Sequence, residues 1–257
     1  MPFAIAQDGA KIAYNVSGTG EPLLLVSGQS LDRHMWDNFA SALIGKYKVI
    51  TYDHRGTGES DKPQGAAYST ELFADDAVAV MNAAGVSRAH AFGFSMGGRV
   101  CQWLGVKHRS RIATLILGAT TPGNKHGVAR EEAVSSLLMT GNLAAMQDLF
   151  YSPEYVAAGG YTLSPSAAPD FARKLHFMAS ENHDVWELLP TITCPALIVH
   201  GSNDRINRTA NAYLLVQAIP DASVAIIEGG RHGFIDEHKD EVCKFLNDFI
   251  RRHTINC

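Results

Sequence analysis

A serine stands between glycines at Gly93-Phe94-Ser95-Met96-Gly97, directly after the strand-like Ala89-His90-Ala91-Phe92 and directly before a helical pattern. A serine at that junction sits on a tight strand-to-helix turn, where flanking glycines tolerate a strained backbone and the hydroxyl projects from the end of a sheet. Two more groups complete a chemistry. Asp204 lies in Gly201-Ser202-Asn203-Asp204, after the apolar Ala196-Leu197-Ile198-Val199-His200, and His232 lies in Gly229-Gly230-Arg231-His232-Gly233, after Val224-Ala225-Ile226-Ile227. A serine hydroxyl is a poor nucleophile at neutral pH. A neutral imidazole within reach can take its proton, and a carboxylate behind the ring fixes the tautomer and stabilises the imidazolium. Nucleophile, acid and base thus follow one another as Ser, Asp, His, each at the exit of a predicted strand.

The assignment discriminates among rivals. The chain has 11 histidines, but His232 is flanked by glycines after the last strand, whereas His238 opens a helix. Asp204 is preferred to Asp221 and Glu228 because a short glycine turn carries it out of a buried strand. A tetrahedral oxyanion needs preorganised donors. The N–H of Met96, next to the serine, is one; the other is assigned to Gln29 in the loop Ser27-Gly28-Gln29-Ser30.

The elements that must position these groups can be read from periodicity. Strands are expected at Ala4–Ala6, Lys11–Val16, Leu23–Val26, Val49–Tyr52, Ala89–Gly93, Thr114–Leu117, Ala196–His200 and Val224–Ile227. Several are apolar at consecutive positions, as in a sheet covered on both faces. Gly9 and Gly18-Thr19-Gly20 separate the first three, so the sheet opens with an antiparallel hairpin. Helices are expected at Met35–Ile44, Thr70–Ala84, Met96–Lys107, Thr209–Ile219 and Glu237–Arg251. Ser69 or Thr70 starts the second and Gly85 ends it.

Between Pro122 and Pro190 the rhythm breaks. Short helices are expected at Glu131–Met139, Leu143–Phe150, Glu154–Ala158, Asp170–Ser180 and Asp184–Leu189, punctuated by Gly141, Pro153, Gly159-Gly160, Pro165 and Pro169. The organisation expected is a core of residues 1–121 and 191–257 with residues 122–190 inserted as a helical cap. Since Ser95, Asp204, His232 and the donor loop lie outside it, the cap is expected to govern substrate choice more than chemistry. Its Phe150, Tyr151, Tyr155, Tyr161, Phe171, Phe177, Met178 and Trp186 either line an acyl pocket or pack the cap itself. Trp186 and Phe94 are the expected substrate contacts, and Arg33 is a candidate partner for a substrate carboxylate, with plain solvation as its alternative.

Composition narrows the classes. The 257 residues are 46% hydrophobic and 19% charged, with 22 basic against 26 acidic side chains. That supports a sizeable core and gives no electrostatic footprint for nucleic acid. No apolar stretch reaches the length of a membrane span. Cys101, Cys194, Cys243 and Cys257 are scattered without disulfide-like spacing and read as buried free thiols, which suits a cytoplasmic protein. No H-E-x-x-H, clustered Cys/His or Walker pattern is present, so no metal and no cofactor is expected.

Leu23-Leu24-Leu25-Val26-Ser27-Gly28, the turn Tyr52-Asp53-His54-Arg55-Gly56-Thr57-Gly58-Glu59-Ser60, the Ser95 turn and Gly230-Arg231-His232-Gly233 together resemble the landmarks of the α/β-hydrolase superfamily, over nearly the whole chain. The nearest likeness is to small serine carboxylesterases and 3-oxoadipate enol-lactonases. The resemblance implies a mostly parallel eight-stranded sheet flanked by helices, with Asp53 and Arg55 tying loops together. Ser27 stands where the superfamily usually has histidine, a departure that touches only the donor loop. The serine at position 95 argues against the epoxide hydrolases and haloalkane dehalogenases of this fold, which use aspartate there. The activity expected is hydrolysis of a small-molecule ester or lactone, with self-association left open. Hydrolysis of a carbon–carbon bond in a ring-cleavage product, or a ligand receptor retaining the triad, are the alternatives.

Overall fold

A computed structural model describes residues 1–65, 68–161, 163 and 166–255. Cys257 and the punctuating Pro165 lie outside the described residues. All eight expected strands are present: β1 (Phe3–Ile5), β2 (Lys11–Ser17), β3 (Glu21–Val26), β4 (Tyr47–Tyr52), β5 (Ala89–Phe94), β6 (Ile112–Gly118), β7 (Ala196–Gly201) and β8 (Ala222–Ile227). They form one sheet in the order β1-β2-β4-β3-β5-β6-β7-β8. β2 runs antiparallel to β1 and β4, and every pair from β4 to β8 is parallel. The opening hairpin and the parallel body are those expected.

Consecutive apolar residues mean two covered faces, and β3 shows how. Leu24 and Val26 enter one core cluster while Leu23 and Leu25 enter the other. Each such side chain, fully buried, contributes about 1.5–3 kcal/mol. The first cluster is completed by α2 (Thr70–Ala83), α3 (Met96–Lys107) and α8 (Ala210–Ala218), the second by α1 (Asp37–Ser41), α9 (Phe234–Glu237) and α10 (Lys239–Arg252). Ser69 caps α2, its hydroxyl accepting from the Leu72 N–H at 3.0 Å.

Three helices differ from expectation, one of them Asp184–Leu189, which is a 3-10 turn at Trp186–Thr191. The Met35–Ile44 pattern forms a 3-10 turn, Arg33–Trp36, before the five residues of α1. The Asp32 carboxylate accepts from the His34 N–H at 3.0 Å and starts the tighter turn early. The Glu237–Arg251 pattern is split, because His238 departs from helical geometry (φ −113°, ψ 34°) between α9 and α10.

Between β6 and β7 lie α4 (Glu132–Met139), α5 (Leu143–Phe150), α6 (Pro153–Ala157), α7 (Asp170–Glu181) and a 3-10 turn at Trp186–Thr191. Val134 and Leu149 cluster with Ile206, which belongs to the loop after β7. Ala179, Val185 and Leu189 are buried in the core cluster of α2 and α3. The segment therefore shares its apolar burial with the sheet rather than closing a core of its own.

The turn after β4 ties distant loops together. Arg55 is fully buried and paired to Asp8 at 2.7 Å and Asp76 at 2.6 Å. Asp53 accepts from the Arg33 and Glu59 N–H groups, each at 2.8 Å.

Candidate active site

β5 delivers Ser95 to its turn. The residue has φ 55° and ψ −116°, a left-handed φ that costs a non-glycine residue free energy unless its surroundings hold it. They do. Its N–H donates to Gly118 O at 2.8 Å, and its carbonyl accepts from the Gly98 N–H at 3.0 Å and from Thr120 Oγ1 at 2.8 Å. The glycines are required by close approach: a Cβ on Gly93 would stand 2.1 Å from Gly97 O, and one on Gly97 2.1 Å from Val26 O. Only this spacing lets strand, turn and helix meet so tightly.

Ser95 Oγ lies 3.2 Å from His232 Nε2, and His232 Nδ1 lies 2.8 Å from Asp204 Oδ2. The Nδ1–H donates to the carboxylate, leaving Nε2 free to accept from the serine. Asp204 is fully buried. Burial alone would raise its carboxyl, but the charges and hydrogen bonds of His232 and His200 outweigh that and hold it below the usual carboxylate range. Its other oxygen accepts from the Ile206 and Asn207 N–H groups, each at 2.9 Å. The alternative acid Glu228 is exposed and engaged by Ser202 instead.

The Ser95 hydroxyl opens onto a cavity of about 590 Å³, whose wall includes Gln29, Phe94, Met96 and His232. Among the described residues the N–H groups of Gln29 and Met96 have no acceptor. Two unspent donors thus stand at the cavity beside the serine, and the Met96 N–H is at the N-terminal, electropositive end of α3. Phe94 packs against the His232 ring with centroids 5.3 Å apart. The inserted segment supplies Phe150, Tyr151, Tyr161 and Phe177 to the wall, whereas Tyr155, Phe171, Met178 and Trp186 are absent from it.

Two expected substrate contacts are corrected. Trp186 stacks on His126 with ring centroids 5.3 Å apart and packs on the core cluster of α2 and α3, away from the cavity. Arg33 is neither solvated nor in the cavity. It is buried, bonded to Asp53 and 3.0 Å from Glu59, because that carboxylate pair sits on the turn after β4 and draws the guanidinium inward.

Other groups at the site escaped sequence reasoning. The carbonyls of Leu149 and Phe150, ending α5, accept from the N–H groups of His232 at 3.2 Å and Gly233 at 2.8 Å. The inserted segment therefore fastens the histidine loop as well as lining the cavity. Backbone acceptors leave no residue-type signal. His200 lies 3.5 Å from Asp204 Oδ2 with its Nε2 also 2.5 Å from Asn207 O; its spacing four residues before the aspartate was the available clue. Arg99, one turn beyond Ser95, is buried and bonded to Ser180, to Thr121 Oγ1 at 2.8 Å and to Asn124 Oδ1 at 3.5 Å. Burial pulls its guanidinium down to about 10. Among the described residues no group of three or more His, Cys, Asp or Glu is disposed to hold a metal, and no helix is long and apolar enough to cross a membrane.

Comparison with known proteins meets the same fold. A family model of the α/β-hydrolase fold matches residues 21–145, which include the Ser27–Ser30 loop and the Ser95 turn. The putative carbamate hydrolase RutD of Azorhizobium caulinodans is 31% identical over 249 residues, 91% of this chain and 92% of its own. The 3-oxoadipate enol-lactonase 1 of Acinetobacter baylyi is 24% identical over 95% of each chain. Among solved structures Est816, described as an N-acyl homoserine lactone degrading enzyme, is 27% identical with a TM-score of 0.80, covering 96% of this chain and 100% of that one. Similarity that runs along nearly the whole of these chains, on a sheet of this strand order, makes the protein a member of the α/β-hydrolase fold family.

Proposed function

We propose that the protein is a cofactor-independent serine hydrolase of small carboxylic esters or lactones. The observation that carries this reading is the unbroken chain from Ser95 Oγ through His232 to Asp204, at 3.2 Å and 2.8 Å, opening on a cavity with two unspent N–H donors. Ser95 Oγ attacks the carbonyl carbon as His232 Nε2 takes its proton. The N–H groups of Gln29 and Met96 receive the oxyanion, each donor being worth about 2.7–4 kcal/mol in such sites. Collapse expels the alkoxide, which His232 protonates, leaving an acyl group on Ser95. A water deprotonated by the same imidazole attacks that ester, and its collapse returns the proton to Ser95 and releases the carboxylic acid. Residues 122–190 act in this reading as a cap over Ser95, with Phe150, Tyr151, Tyr161 and Phe177 bounding the acyl side. The lactone-degrading and enol-lactonase relatives support a lactone as readily as an open ester. A cytoplasmic setting belongs to the same reading, and the buried unpaired Cys101, Cys194 and Cys243 suit it.

The test is a side-by-side assay of short aryl esters, lactones and vinylogous diketones. Turnover of esters or lactones that depends on Ser95 supports the reading. Exclusive cleavage of the diketones would replace it with carbon–carbon hydrolysis, and a single slow turnover of every compound would replace it with a ligand receptor.

A further inference from the structure

Ser30 follows Gln29 and, like Ser95, has a left-handed φ, at 59°. Its own hydroxyl is buried without a partner among the described residues, so this conformation is held through the main chain. Both side-chain holders come from the inserted segment, while the Leu31 N–H, donating to the Gly28 carbonyl at 3.3 Å, closes the turn locally. The Ser30 N–H donates to Nδ1 of His176, on α7, at 3.2 Å, and the Ser30 carbonyl accepts from Ser166 Oγ at 2.5 Å. His176 is itself fixed: its Nε2–H donates to the Arg55 carbonyl at 2.8 Å, which leaves Nδ1 as the acceptor. The ring is fully buried against Phe73, Tyr68 and His54, with centroids 5.0, 5.7 and 6.0 Å away. Without those holders the long 3.3 Å bond from Leu31 to Gly28 would be left to close the turn, and because Ser30 is joined to Gln29 by one peptide unit, a shift of the Ser30 φ displaces the neighbouring N–H as well.

We infer that His176 is a positioning residue for the oxyanion site, holding the Gln29–Ser30 peptide from the inserted segment so that the Gln29 N–H is presented to the cavity. This rests on the reading of Gln29 as an oxyanion donor. The inserted segment then sets the rate of chemistry as well as the choice of substrate, through a side chain that touches neither substrate nor triad.

The test uses His176→Phe, which keeps an aromatic ring among aromatic neighbours and removes both hydrogen bonds. Turnover of p-nitrophenyl acetate and butyrate is measured beside the affinity for an alkylboronic acid, which becomes tetrahedral on Ser95. A displaced donor lowers kcat about 10- to 100-fold for both esters, leaves KM within about twofold, and weakens boronate binding by the same factor. His176→Asn, whose amide oxygen can replace Nδ1 as acceptor, recovers most of the loss. A folded His176→Phe with kcat and boronate affinity within about twofold of the parent overturns the inference, as does a change confined to KM. Where His176→Phe does not fold, Ser166→Ala reads the same residue, Ser30, from its carbonyl side. A fall of about three- to tenfold in both quantities is expected, and no change in either overturns the inference. A parent protein that neither turns over ester nor binds boronate sinks the hydrolase reading and this inference with it. An active parent, silent as Ser95→Ala and indifferent to His176 and Ser166, sinks the inference alone.

Discussion

The end of the parallel sheet and the helical segment inserted between β6 and β7 contribute to one cavity in opposite ways. On the proposed reading the sheet end supplies the reacting groups, Ser95, Asp204 and His232, each on a loop that follows a strand. The inserted segment supplies no member of that chain, yet it grips the surrounding loops. Leu149 and Phe150 accept from the His232 loop, His176 and Ser166 hold Ser30, and the Ser180 hydroxyl accepts from Arg99 at 3.0 Å. On that reading, residues that react and residues that keep them in register are segregated by region, and a variant's effect should depend on which region it touches.

The largest effects belong to the sheet end. Ser95→Ala and His232→Ala should each lower ester kcat by about three or more powers of ten with the fold intact, and together they should cost little more, because they act as one unit. Asp204→Asn should cost about 10⁴-fold by disturbing the tautomer, while Glu228→Gln stays near the parent. Strictly additive losses in the double variant, or a silent Asp204→Asn, would break the division at its strongest point. Steady-state kinetics on one aryl ester reads all four.

The seam between the regions comes next. A Cβ on Gly233 would stand 2.3 Å from Tyr151 Cε1 and 2.9 Å from the Phe150 carbonyl. Gly233→Ala must push the histidine loop off α5, and a loss of roughly tenfold in kcat is expected, since small misplacements of catalytic groups are costly. An unchanged kcat would mean that the backbone contacts at Leu149 and Phe150 are incidental.

Much of this was legible in the sequence, for physical reasons that differ by region. The central strands announce themselves by runs such as Leu23–Val26 because both faces are covered, and the Ser95 turn by glycines that no other residue can replace there. Helix positions in the insertion follow from its breakers. Its attachments do not, because main-chain acceptors at Leu149 and Phe150 and a buried imidazole at position 176 carry no pattern in residue type. Trp186 and Arg33 misled in the same manner. An aromatic near the segment's return and a cation beside the donor loop are compatible with a substrate wall. What placed them elsewhere was His126 beneath the indole and Asp53 with Glu59 around the guanidinium.

Trp186→Ala sharpens the contrast within the insertion. It should lower stability by about 2 kcal/mol through lost packing and leave KM and the preference among acyl lengths alone, as a melting curve and a short-to-long ester series would record. A shift in chain-length preference would return Trp186 to the substrate wall.

A last effect, on stability alone, is spread over pH. Burial first, with weaker opposing or reinforcing neighbours, lowers His54 to about 3 and His176 to about 4. An unfolded imidazole titrates near about 6.5. Between those values the unfolded chain binds protons that the folded one refuses, so stability is full above about pH 6.5 and falls as pH drops toward 4. Each ring contributes about 1.4 kcal/mol per pH unit. Denaturant midpoints from pH 7 to 4.5 should decline along that slope, and His176→Phe should make the decline shallower. An equal slope in both proteins would show that His176 takes up its proton without unfolding.

The central claim is that Ser95 carries the acyl group, and covalent trapping tests it most directly. Incubation with an alkyl fluorophosphonate followed by mass analysis of proteolytic peptides should place one adduct on the peptide containing Ser95, in step with loss of esterase activity. Ser95→Ala should take up none. Full ester turnover by a protein already modified at Ser95, or inactivation with the adduct on another residue, would contradict the account.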